Sequence, residues 1–190
     1  MFSDKRHSGK LAKSAIAFTT AFTMASILAA TAHASDVTVP KMVLTAYVNG
    51  AGGESVMAGN YDEALAEIRR TRSVSSETYT AKINNQCVTY AALKQIVQAL
   101  SACDEALRAA KYDRMTAQSL GAASTQNSYI AIAYTNRAIV HMLAKNAEAA
   151  KSDMAHARSL APSAEFVSQN LLAMQTSASQ IAQANVAPTR

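Results

Sequence analysis

Few side chains in this sequence stand in groups that could do chemistry. Cys87 and Cys103 are the two cysteines. An even count invites a disulfide if the chain is exported; two buried free thiols are the other reading. No C-x-x-C motif or neighbouring cation marks a redox site. His141 and His156, with Met142 and Met154, carry ligand atoms. Yet no two histidines stand four residues apart, and no carboxylate or cysteine completes a ligand set. Asp62-Glu63 and Asp104-Glu105 read as cap and surface charges rather than acid–base pairs. The signatures G-x-S-x-G, S-x-x-K and H-E-x-x-H are missing. The expectation is a chain that is not an enzyme, with no metal and no cofactor.

The first 34 residues explain most of the charge. Lys5, Arg6, Lys10 and Lys13 precede an uncharged run, SAIAFTTAFTMASILAATAHA, which closes on Ala32-His33-Ala34. This is the pattern of a secretory signal peptide; an uncleaved anchor is the alternative. The formal net charge is +5, and the leader's four basic residues and Asp4 account for three of it, leaving +2. A nucleic-acid partner is therefore not expected from the basic pI, nor a stable membrane span after cleavage. Arg69, Arg70 and Arg72 read as a solvated helix end. The expected location is periplasmic or secreted, in a bacterium.

The remaining 156 residues make one ordinary domain. They have no Trp, few Pro and much Ala, which argues for an all-α fold. Residues 35–53 read as an extended arm ending in NGAGG, with a short strand that would lack a pairing partner. In GNYDEALAEIRR, Asn60 and Glu63 stand as in a capping box, ahead of an apolar face of Tyr61, Ala64, Leu65 and Ile68. Residues 79–110 suit two helices. Residues 112–128 contain AASTQNS, which reads as a loop or a loose helix start. Helices are predicted over 128–144 and 147–160, the second stopped by Pro162. A closing helix over 163–176 precedes a polar tail, 177–190, that should fray.

Shifting the chain by 51 residues sets Asn85 on Asn136, Cys87 on Ala138, Ala99 on Ala150, Cys103 on Met154 and Ala106 on Ala157. Small residues recurring in this way suggest repeated helix pairs that pack closely. Ala138, Ala150, Met154, Ala157 and Pro162 sit at spacings that resemble the tetratricopeptide repeat, a 34-residue helix–turn–helix pattern. Cys87, Ala99, Cys103 and Ala106 fit the same frame over 79–111, and Gly59, Tyr61, Ala64 and Ile68 resemble a degenerate repeat over 54–72. The frame runs again over 129–162, with 112–128 as an insertion. The turn glycine is replaced in both better repeats, near Gln95 and Asn146.

The resemblance implies a short right-handed stack of helix hairpins. It implies protein–protein interaction, with a protein or peptide partner in a groove lined by Asn84, Val88, Ala91, Thr135, Ile139 and Met142. It also places Cys87 and Cys103 on facing sides of one hairpin, where a bridge would add about 3 kcal/mol. His141 takes a position usually held by Tyr, a packing role. A self-associating structural or envelope-stress protein, forming a homo-oligomer, is the alternative function; a periplasmic metal or redox protein is the remaining one.

Overall fold

The computed structural model describes residues 41–119 and 123–184, all within the unit Val37–Arg190. The expected signal peptide, the first residues of the arm and the end of the tail lie outside the described residues. Seven helices follow in order: α1 (Gly53–Met57), α2 (Tyr61–Arg70), α3 (Ser76–Ala92), α4 (Ile96–Ser119), α5 (Ala123–Leu143), α6 (Ala147–Leu160) and α7 (Glu165–Ala184). Among the described residues there is no strand, so the fold is all-α.

Local signals set several of these boundaries. Ser75 caps α3 through a reciprocal pair of hydrogen bonds with Thr78. Asn146 Oδ1 accepts the Ala149 N–H at 3.2 Å and starts α6. Asn60, by contrast, makes no side-chain cap bond. Its own N–H is taken by Ser55 O at 2.8 Å, so backbone closes that turn and the expected capping box does not form. Lys94 and Lys145, each two residues past the end of a helix, stand at φ 59° and φ 60°. These are the left-handed positions where glycine is usual.

Of the two readings of AASTQNS, loop or loose helix start, the second holds from Ala123, where α5 begins, while α4 runs on to Ser119. The residues expected as an insertion thus extend α4 and α5, two helices that pack on each other. The helix predicted to fray after residue 176 continues to Ala184.

The helices pack in chain order, α3 on α4, α4 on α5 and α5 on α6. Ala99, Ala138, Ala150 and Ala157 have no exposed surface. They let adjacent helices close to near contact, which larger side chains would prevent. Cys87 of α3 and Cys103 of α4 are joined by a wholly buried disulfide, with the Cα atoms 4.9 Å apart. Pro162 does not share the packing role expected of it. It is exposed in the turn after α6, where it only ends the helix.

Arg137 ties three helices together. Its guanidinium grips Asp153 of α6 with two bonds, at 2.8 and 2.7 Å, and reaches Asp104 of α4 at 2.7 Å. These hydrogen bonds, to Asp153 first, raise the Arg137 pKa above its ordinary value against the opposing effect of burial. Asp153 itself is buried, so the pair has little contact with water.

Candidate functional site

The arm, residues 41–47, is neither helix nor strand. It runs past three helices, and a buried asparagine meets it at each. Asn85 of α3, Asn136 of α5 and Asn170 of α7 all have no exposed surface. A carboxamide has one acceptor and one two-proton donor, which matches the N–H and C=O that an extended residue turns to one side. All three carboxamides are used in this way.

Asn170 Oδ1 accepts the Val43 N–H at 2.7 Å, and Asn170 Nδ2 donates to Val43 O at 3.0 Å. Asn136 Oδ1 accepts the Thr45 N–H at 2.8 Å, and its Nδ2 donates to Thr45 O at 2.8 Å. Asn85 Oδ1 accepts the Tyr47 N–H at 2.7 Å, and its Nδ2 donates to Tyr47 O at 2.8 Å and to Ala51 O at 3.1 Å. Asn84 supports the middle rung. Its Nδ2 donates to Thr45 O at 3.0 Å, and its Oδ1 accepts from Asn136 Nδ2 at 3.0 Å. The fixed orientation of each amide follows from this network.

The alternate arm residues do something else. Met42 packs on the cluster shared by α4 to α7, Leu44 on the clusters of α3–α5 and of α1–α3, and Ala46 on the latter. No hydrogen bond engages the Leu44 or Ala46 amide among the described residues. Val43, between two packed neighbours, is half exposed. Tyr47 ends the row with its ring edge on Tyr129, centroids 5.4 Å apart. Burial pushes the Tyr47 phenol pKa up, with Tyr129 and Asp113 adding to the effect, so the ring stays neutral.

The groove residues expected from the repeat frame divide into three sets. Asn84 bonds to the arm, and Val88 and Ala91 sit in clusters on which Leu44 packs. Thr135 is buried with its hydroxyl bonded to Ala131 O, and Ile139 is buried; neither presents a free surface. Met142 lies elsewhere, in a cleft between α6 and α7 lined also by Met154 and Leu171. The three asparagines that hold the arm backbone were not among the expected groove residues. Their signal was present: 51 residues separate Asn85 from Asn136, and 34 separate Asn136 from Asn170.

The residues weighed for other chemistry have structural partners. His156 stacks on Tyr134 with centroids 5.0 Å apart, and its Nδ1 meets Ser152 O at 2.8 Å. His141 Nε2 lies 3.8 Å from Asp153 Oδ2. Among the described residues no three His, Cys, Asp or Glu side chains are grouped to hold a metal ion. Among them, too, no helix is long and apolar enough to cross a membrane. No family model, curated protein or solved structure matches this chain.

Proposed function

We propose that this chain is an exported interaction module of the tetratricopeptide-repeat type, without catalytic activity of its own, that grips an extended peptide across its hairpins. In this reading α3–α4 and α5–α6 are two repeats and α1–α2 a partial one. The helix α7 is the first helix of another repeat rather than only a cap. Asn170 favours this, since it follows Asn136 by 34 residues, the period of the resembled repeat.

The observation that carries the reading is the row of three carboxamides on the backbone of Val43, Thr45 and Tyr47. Repeat folds stack units so that equivalent side chains line one continuous face. A buried asparagine that must satisfy both its donor and its acceptor is costly unless a matching backbone is always supplied. Three such residues on α3, α5 and α7 thus favour a surface built to hold extended chain.

Crosslinking in the native host, followed by identification of the captured protein, tests this. A specific partner should be captured by the wild type. It should be lost on Asn85→Ala with Asn136→Ala, while the helical circular dichroism persists. Capture that is indifferent to both asparagines would refute the groove.

Self-association is the second reading. It is favoured by the groove's occupant being a segment of this chain, which a second copy also carries. A mass by light scattering that does not change with concentration would argue against it.

A further inference from the structure

We infer that the partner is an extended segment with apolar side chains at three alternate positions, and that it enters the groove by displacing the chain's own residues 42–47. This rests on the reading of the asparagine-lined face as a peptide groove. The arm shows what the groove selects. At Val43, Thr45 and Tyr47 the asparagines touch backbone atoms, which every non-proline residue has. These positions carry little sequence information, and the Val43 side chain is half exposed. At Met42, Leu44 and Ala46 the side chains meet apolar clusters, so these positions select apolar groups.

The arm is a competitor rather than only a structural strap because of how it is attached. It joins α1 through a turn that contains Gly50, Gly52 and Gly53, with Gly52 at φ 71°. Rotation within this turn lets residues 42–47 leave without moving a helix. Once they leave, the three carboxamides lose their bonds to Val43, Thr45 and Tyr47, leaving each Oδ1 without the N–H it accepts, and a second extended chain supplies these partners again. A tethered segment acts at millimolar effective concentration, so the arm sets a threshold that a partner must exceed.

The test uses a fluorescent octapeptide of residues 41–48, KMVLTAYV, added to the full-length chain. Leu44→Asp in the protein puts a charge against apolar clusters and releases the arm. By fluorescence anisotropy the free peptide should bind this variant at least tenfold more tightly than the wild type. N-methylation at Thr45 of the peptide should weaken binding about tenfold, the effect of losing a buried hydrogen bond. N-methylation at Leu44 should change it less than about twofold, since that amide has no partner to lose. If Leu44→Asp loses its helical signal, Thr45→Pro replaces it, removing the N–H that Asn136 accepts while keeping an extended backbone.

Equal losses from the two methylations would overturn the backbone-reading inference and leave a groove that binds by apolar contact. No binding to a folded, arm-released variant would overturn the inference as well. If the host partner is still captured through Asn85 and Asn136, the functional reading survives that failure; if it is not, both fall. Wild-type dimers that disappear on Leu44→Asp would replace the outside partner with the arm of a second copy.

Discussion

Asn136 and Thr45 are 91 residues apart in sequence, and the side chain of one completes both hydrogen bonds of the other's backbone, each at 2.8 Å. This single contact fastens the arm to the middle of the helical array. It also explains why an asparagine with no exposed surface can stand on a helix face otherwise made of small and apolar residues.

Replacing Asn136 with Asp keeps the size and the acceptor but faces Thr45 O with a second acceptor. At neutral pH the loss in urea denaturation should be about 2–4 kcal/mol, as expected for a buried polar group made unsatisfied and charged. The introduced carboxyl is easier to protonate in the folded state than in the unfolded chain, because burial and the facing carbonyl disfavour the anion. The penalty should therefore be absent below the unfolded carboxyl's value of about 4 and grow as pH rises through the raised folded value. A penalty that does not vary with pH would contradict the assignment of donor to Nδ2.

The Cys87–Cys103 bridge joins α3 to α4 across 16 residues of sequence. Cys87→Ala with Cys103→Ala should cost about 2–4 kcal/mol, read from the midpoint of chemical unfolding. A thiol count on unreduced, denatured protein should find no free thiol. Finding two would contradict the bridge.

Among the described residues, buried Asp153 pairs with Arg137 at 2.7 Å and meets His141 at 3.8 Å. Arg137→Met should destabilise by about 3–5 kcal/mol, because it strands a buried carboxylate. Adding Asp153→Leu to that variant should recover most of the loss. Recovery of less than about half would mean that the guanidinium acts mainly by packing on Tyr134, whose ring centroid lies 5.6 Å from it.

At Lys145, φ is 60°, a left-handed conformation that side chains disfavour. Lys145→Gly should raise stability by about 0.5–1 kcal/mol in thermal unfolding, with Lys94→Gly behaving alike. A loss at both positions would mean that the lysine side chains hold the turns.

Much of the helical layout was legible from small residues and stops. The limits of α6 follow from Asn146 and Pro162, and its buried face from Ala150, Met154 and Ala157. The start of α5 was legible only as one of two readings, since local propensity in AASTQNS leaves a loop and a loose helix start both open. The groove was legible only in part, for a related reason. Apolar periodicity finds the residues that exclude water and passes over buried amides such as Asn85, Asn136 and Asn170, whose place depends on a distant segment. The arm's alternation suggested a strand without a partner strand. Its partner is a row of side chains, which no local pattern around residues 43–47 encodes.

Amide hydrogen exchange by NMR across residues 42–47 tests the asparagine row most directly. The account predicts slow exchange at Val43, Thr45 and Tyr47 and fast exchange at Leu44 and Ala46, with the contrast at Thr45 lost on Asn136→Ala. Uniform fast exchange along the arm, or protection that does not alternate, would contradict it.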